Sequence, residues 1–338
     1  MKSWKTWVGV LVSVLFCYLA FRNIDWRVLG GKLAEIRMAP LLVVAVLVAV
    51  MLMVRGYRWS LFLKPIKPVS WWVLFWSSAL GYALNNILPA RLGEIARAHS
   101  AHKQGGVAFG SAFGTLVVER LYDMFSALFM FVAALMIADF GNFEQVFGVS
   151  QNKIALIMGA GGLVIVTAVV LLKWQNELGV RILRFFLRVL PEKWAEKIVE
   201  LFQAFVKGLT QSTKPLDVVM ILACSAFIWI VSTYTMYLCV SAFDIRISLD
   251  TSIIVMMAVI IAVAIPAAPG YVGVYQYTLK LALVHYVGLD DETALSIAIV
   301  IHAANYIPQT LLGLARFAYE GLSVSEISHV KEEMNEAP

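Results

Sequence analysis

Apolar residues run through this chain in long blocks, and charged residues collect between them. Residues 4–21, 40–63, 107–138, 153–173, 215–242 and 293–319 each supply the roughly 20 mostly apolar positions that a membrane-crossing helix needs. Two further blocks are interrupted. Residues 71–88 carry no charge and run into Pro89-Ala90-x-x-Gly93, after which 91–103 holds Arg91, Glu94, Arg97, His99, His102 and Lys103. Residues 251–279 are uncharged but split by Pro266, Pro269, Gly270 and Gly273, and Pro266-Ala267-x-x-Gly270 repeats the first pattern. Proline removes a backbone donor and clashes with the preceding turn, so each break exposes backbone that protein or water must satisfy. Paired breaks in corresponding places of two halves point to the substrate site of a transporter.

Loop charge sets the orientation. The 174–214 connection holds Arg181, Arg184, Arg188, Lys193, Lys197, Lys207 and Lys214 and is expected on the cytoplasmic side. The loops 139–152 (Asp139, Glu144) and 288–292 (Asp290, Asp291, Glu292) are acidic and are expected outside. Both ends of 70–106 then lie inside and both ends of 250–288 outside, which makes two re-entrant hairpins entering from opposite faces. The expected fold is an all-α polytopic membrane protein, one membrane domain over 1–338. It is an inverted repeat of halves 1–138 and 153–319, with about six full transmembrane helices plus two broken hairpins, eight membrane segments in all. The 22–39 loop resists the scheme: placed outside, it holds Arg22, Arg27, Lys32 and Arg37 against Asp25 and Glu35. Within 175–213, Trp194, Ile198, Leu201, Phe202 and Phe205 fall opposite Lys193, Glu196, Lys197 and Glu200, the pattern of cytoplasmic interfacial helices or of a plain connector. Both termini, including the acidic tail 320–338, are expected in the cytoplasm.

Composition agrees with this class. The chain is 61% hydrophobic and 14% charged with a mean hydropathy of +0.80, outside the range of soluble domains. The net charge of +5 fits cytoplasmic loops beside anionic head groups, and no nucleic-acid motif is present. Cys17, Cys224 and Cys239 fall in apolar runs and read as packing residues. The N-terminus has the basic start and apolar run of a signal peptide but no small-residue cleavage site, so a retained first helix is expected.

Chemistry is expected where charge enters the apolar blocks. Glu119, Arg120 and Asp123 lie near the middle of the 107–138 helix, where an ionisable group costs about 2.5–3.5 kcal/mol, so they should face a cavity or one another. They are either a neutralised packing bridge, or a site in which Arg120 meets an anion while a carboxylate carries a proton or counter-charge. On the last helix His302 and Asn305 repeat the three-residue spacing of Arg120 and Asp123; His302 is a packing residue or a proton carrier. Arg55 and Arg58 share a face near a helix end and are expected to snorkel to head groups or to touch phosphate at the cavity mouth. Arg91, Glu94 and Arg97 would present charge at the first hairpin tip, where helix starts suit an anion. His99 and His102 with Glu94 make only a weak metal pattern; no metal, cofactor or catalytic constellation is expected.

The motifs NNILPARLGEIARA, VVERLYD and PAAPGYVGVYQY, in that order, are similar to those of the lysylphosphatidylglycerol synthase transmembrane-region family, and the resemblance covers about residues 5–320. It implies a lipid-translocating membrane fold, the part that in the multiple peptide resistance factor moves aminoacylated phosphatidylglycerol between leaflets. In the two-part proteins a soluble synthase domain follows, whereas here only GLSVSEISHVKEEMNEAP does, so lipid aminoacylation is not expected of this chain. His302 stands where members of the family often carry arginine.

The expected function is a non-enzymatic, flippase-like translocase for an anionic or zwitterionic phospho- or glycolipid in the cytoplasmic membrane. Arg120 and Arg91, with Arg55 as a further candidate, would hold phosphate, Glu119 and Asp123 would balance charge, and Asn85, Asn86, Tyr275 and Gln276 would bond the head group. The alternatives are a secondary transporter of a small anion and a membrane scaffold for a separate lipid-modifying enzyme.

Overall fold

A computed structural model describes residues 4–88, 92–137, 149–174, 214–265 and 267–320, with isolated positions between 181 and 199. Pro89, Arg91 and Pro266, the loop 139–148, the amphipathic pattern within 175–213 and the tail 321–338 therefore lie outside the described residues. Every described element is helical: α1 (Trp4–Phe21), α2 (Trp26–Ala34), α3 (Met38–Leu63), α4 (Trp71–Ile87), α5 (Leu92–Gly105), α6 (Phe109–Ile137), α7 (Gln151–Trp174), α8 (Pro215–Ser241), α9 (Leu249–Ala264), α10 (Val274–Ala282) and α11 (Asp291–Glu320). A short 3-10 turn, Pro269–Tyr271, joins α9 to α10, and a π turn, Leu283–Val287, extends α10.

Among the described residues three helices are long and apolar enough to cross a membrane, within Met38–Leu63, Pro215–Ser241 and Asp291–Tyr319. The bent pair α1–α2 supplies a fourth if it counts as one span. Among the described residues that is fewer than the six uninterrupted rods expected. α6 has 29 residues, but Glu119, Arg120 and Asp123 break its apolar run. Residues 22–39 are no open loop either: Asp25 caps α2, accepting from the Arg27 and Val28 N–H groups at 2.8 and 3.4 Å, and α2 turns 87° from α1.

Polar contacts sort the helix termini into two ends. At one, Lys64 Nζ bonds Asp217 at 2.8 Å, Lys67 Nζ bonds the Gly106 carbonyl at 2.8 Å, and Arg316 bonds Gln104. At the other, the Asp25 N–H bonds Glu292 at 3.3 Å, Arg37 pairs with Asp244 at 2.7 Å, and Lys280 pairs with Asp291 at 2.6 Å while reaching the Ala20 carbonyl. The first end is basic, with Lys64, Lys67, Lys103, Lys214 and Arg316 against Asp217 and Glu320. The second is mixed, and Arg37 of 22–39 meets its acid, Asp244, in another loop. Asp290, at that second end, has its carboxyl lowered below the usual range: partial burial pushes it up, but bonds from the Thr293 N–H and hydroxyl outweigh that.

α4 and α5 run antiparallel. Ser77 Oγ donates to Ser100 Oγ at 3.0 Å near their bases, and the Gly93 N–H donates to Asn85 Oδ1 at 2.8 Å at their tip. Both bases lie at the basic end. α9 begins, and the π turn ends, at the mixed end, so the second broken segment points the other way. Its turn needs left-handed backbone at Gly270 (φ 70°), Tyr271 (φ 56°) and Gly273 (φ 88°), and two of the three are glycine. α1 braces it, Ser13 Oγ accepting from the Ala268 N–H at 2.9 Å. The two tips touch: a Cβ on Gly270 would lie 3.2 Å from the Asn86 carbonyl oxygen. Asn86 Nδ2 also donates to Thr310 Oγ1 of α11 at 2.8 Å, tying the first tip to the last helix.

A Cβ on Gly93 would overlap the Gly81 carbonyl oxygen and lie 2.6 Å from Asn85 Cγ. Gly93→Ala should therefore cost about 1–3 kcal/mol, seen as a lower thermal unfolding midpoint in detergent. Gly30→Ala on exposed α2 meets nothing within 4 Å and should leave that midpoint unchanged or raise it.

Candidate functional site

The sequence puts Arg58 and Trp59 on α3, Arg97 on α5 and Glu119 on α6, and close packing brings all four to full burial. Glu119 accepts a two-pronged bond from Arg97, Nη1 to Oε1 at 3.0 Å and Nη2 to Oε2 at 2.9 Å. Arg58 Nη2 lies 3.4 Å from the same Oε1. The Arg97 guanidinium also sits 4.2 Å from the Trp59 ring centre, and Trp59 Nε1 donates to Thr115 Oγ1 at 2.9 Å. Arg58 Nη1 donates to Asp123 Oδ1 at 2.7 Å and to Ser225 Oγ of α8 at 2.9 Å. Four helices thus share one ionic node. A buried carboxylate satisfied this way stays charged and fixed, because its partners cannot leave without uncovering it.

Above the node the pairing loosens. Arg120 is within 4 Å of Glu94 (3.6 Å), Glu119 (3.6 Å) and Asp123 (3.7 Å), each too long for a hydrogen bond, and its side chain is 41% exposed. Its Nη2 reaches the Tyr82 hydroxyl at 3.3 Å. Arg55 stands over the Tyr82 ring at 5.3 Å and 3.8 Å from Asp123 Oδ2. Tyr82 and Arg55 also line a cavity of about 140 Å³ whose other walls come from α8, α9, α10 and α11, among them Met236, Met256, Tyr275, Asn305 and Gln309. The cavity therefore lies between the two halves of the chain, with Arg55 on its first-half side.

Opposite, Gln276 uses both ends of its amide. Oε1 accepts from the Gly273 N–H at 2.8 Å, which leaves Nε2 to donate to His302 Nδ1 at 2.7 Å, so the neutral ring carries its proton on Nε2. His302 stacks on Tyr275 at 4.3 Å and meets the Tyr306 ring edge-on at 4.2 Å.

Several expectations change. Arg58 does not snorkel: it is fully buried and tied to carboxylates. Arg97 presents no charge at a hairpin tip, being 1% exposed against Glu119. Glu119 is sealed between arginines, so charge balance near the cavity falls to Asp123 and Glu94. Gln276 is spent on holding the second turn and His302, and the Asn85 and Asn86 amides help hold the first tip. Arg55, Tyr275 and Asn305 line the cavity, and Arg120 and Asp123 adjoin its Tyr82 and Arg55. His102 Nδ1 bonds the Val107 carbonyl at 2.8 Å, and among the described residues no three His, Cys, Asp or Glu side chains are grouped to hold a metal. Tyr82, Trp59 and Ser225 were not foreseen. An aromatic or a serine in an apolar helix gives no signal until the guanidinium it serves is located.

The sequence profile of the lysylphosphatidylglycerol synthase TM region matches residues 6–313. The chain belongs to this family. Curated relatives are similar along most of their length. A UPF0104 membrane protein of Methanothermobacter thermautotrophicus is 26% identical over 84% of this chain and 86% of its own length. Another UPF0104 membrane protein, of Methanocaldococcus jannaschii, is 22% identical over 75% of this chain and 98% of its own. Membership in this membrane-protein family and the apolar helices make the chain a multi-pass membrane protein, and nothing in the family description assigns catalysis to the membrane region.

Removing one partner of a buried pair strands the other, at about 3–5 kcal/mol. Glu119→Gln should show a loss of that size in detergent thermal stability, because Arg97 and Arg58 both lose their shared carboxylate. Arg120→Ala, taken from the loosely paired rim, should lower the midpoint far less in the same measurement.

Proposed function

We propose that this protein is a flippase-like translocase that carries the anionic or zwitterionic head group of a phospho- or glycolipid across the membrane while the acyl chains stay in lipid. The observation that carries the reading is the cavity between the halves, with Arg55 on its wall and Arg120 joined to it through Tyr82. These cations have no carboxylate at hydrogen-bond distance among the described contacts, which supports their availability to an anion. Membership in a family named for a lipid synthase's membrane region supports a lipid as the source of that anion. The thioethers of Met51, Met236 and Met256 give the walls a lining that adapts to differently shaped groups.

The basic end is read as cytoplasmic, with both termini there, in keeping with the bias of lysine and arginine toward that side. In a bilayer the α4–α5 hairpin would enter from the cytoplasm and the α9–α10 segment from outside, as inverted re-entrant pairs. Tip-to-tip contact at Asn86 and Gly270 would let the cavity open alternately to either face by small shifts of one hairpin against the other.

A small-anion transporter is the second reading, favoured by the cavity's size: about 140 Å³ is close to the ~150 Å³ that holds a benzene-sized molecule. A scaffold without transport, holding a separate lipid-modifying enzyme, is favoured by the sealed Glu119 node but not by the half-exposed Arg120.

In proteoliposomes, Arg120→Ala should reduce lipid translocation about tenfold or more, the effect of removing about 1.4 kcal/mol of anion binding, with expression retained. Wild-type rates would overturn Arg120 as the substrate contact. Mass spectrometry of co-purified lipids separates the two transport readings: an enriched head-group class supports the lipid.

A further inference from the structure

The two oxygens of Asp123 have different fates. Oδ1 is fixed from below by Arg58 at 2.7 Å, and Arg58 is itself held by Ser225 and fully buried. Oδ2 faces two other guanidinium groups, Arg55 Nη1 at 3.8 Å and Arg120 Nη1 at 3.7 Å, and is hydrogen-bonded to neither at those distances. Both of those arginines meet Tyr82, which lines the cavity. Oδ2 is thus a negative oxygen near two cations beside the cavity, in loose contact with both.

The charge count gives this arrangement a consequence. In the deep node Arg58 and Arg97 balance Glu119 and Asp123. With Arg55, Arg120 and Glu94 added at the rim, four arginines meet three carboxylates, so the described cluster carries one surplus positive charge. Unbalanced charge at membrane depth is costly, and a ligand that cancels it binds better than one that undershoots or overshoots.

We propose that Asp123 is the resident counter-ion of the anion site: Oδ2 marks, between Arg55 and Arg120, where an oxygen of the substrate's anionic group binds, and Asp123 sets that group's charge at one. This deepens the translocase reading and rests on it. The favoured class is a singly charged oxyanion such as a phosphodiester, and a doubly charged phosphomonoester is disfavoured. Because Arg58 keeps Asp123 in place, the substrate displaces only the loose Oδ2 contacts, and the same carboxylate is present to take them back on release.

The test uses the full chain purified in detergent and measures binding by calorimetry at pH 8, where a phosphomonoester is doubly charged because its second pKa is about 6. The probes are glycerophosphoglycerol, a singly charged diester, and glycerol 3-phosphate. Wild type should favour the diester by about tenfold, and Asp123→Asn, which keeps an oxygen for Arg58 but adds one to the surplus, should favour the monoester by a similar factor. Arg55→Gln combined with Asp123→Asn restores the surplus to one and should restore the diester preference. Should Asp123→Asn fail to fold, Arg55→Gln alone tests the same rule, since it cancels the surplus and should erase the preference for glycerophosphoglycerol over zwitterionic glycerophosphocholine. An unchanged preference in these variants overturns the role of Asp123. Wild type that binds neither the probes nor phosphatidylglycerol in nanodiscs overturns the translocase reading instead. Binding only in nanodiscs supports the charge rule with a lipid source; equal binding of the soluble diester supports it with a solute source.

Discussion

Glu119 is a carboxylate with no exposed surface, in the middle of a helix that packs among apolar neighbours, and it is tolerable there only because two arginines from other helices close on it. That requirement fixes much of the first half. Arg97 reaches Glu119 only if α5 folds back along α4, and Arg58 reaches it only if α3 packs against α6. Ser225 brings α8 of the second half into the same node. Ionic bonding of this kind is weak evidence for net stability but strong for a unique arrangement, since every alternative packing strands a charge.

The same constraint explains why the rim is loose. Each arginine committed to Glu119 is one fewer for the cavity, and with Arg97 bonded to both its oxygens Glu119 lies 3.6 Å from Arg120, beyond hydrogen-bond distance. Arg120 and Arg55 are held by a tyrosine, which orients a guanidinium through its ring or hydroxyl without neutralising it. A rigid, neutral base therefore supports a cationic rim. Tyr82 lies on α4, the first arm of the broken hairpin, so any shift of that hairpin moves the partner of both rim arginines at once.

Much of this was legible before the fold was known. Apolar blocks gave the membrane class, and the Pro-Ala-x-x-Gly motifs the places where α4 gives way to α5 and α9 to α10, because block length and proline act locally. Among the described loops, 22–39 sits at the same end as the acidic 288–292, as the inverted scheme required despite its arginines, and its Arg37 pairs with Asp244 far along the chain, a compensation that a sum of charge within the loop misses. The mid-helix trio pointed to the right helix, but which of its members is sealed depended on Arg58 and Arg97, and their burial has no signature in local sequence. Both sit near helix ends, where snorkelling is the ordinary solution, and only the convergence of α3, α5 and α6 removes that option.

The second half lacks a matching ionic node among its described residues. Its counterpart wall is built from neutral groups: Gln276 holding Gly273 and His302, and rings of Tyr275 and Tyr306 around the imidazole. On the proposed translocase reading, a cationic wall facing a neutral, hydrogen-bonded one would orient a bound head group, its anionic oxygen drawn to the first half and its uncharged portion left to the second. Were both walls charged, an anion crossing between them would be held from two sides and released slowly. With charge on one side only, a group carried as proposed would need to break with a single set of arginines, both of which lie within 4 Å of Asp123.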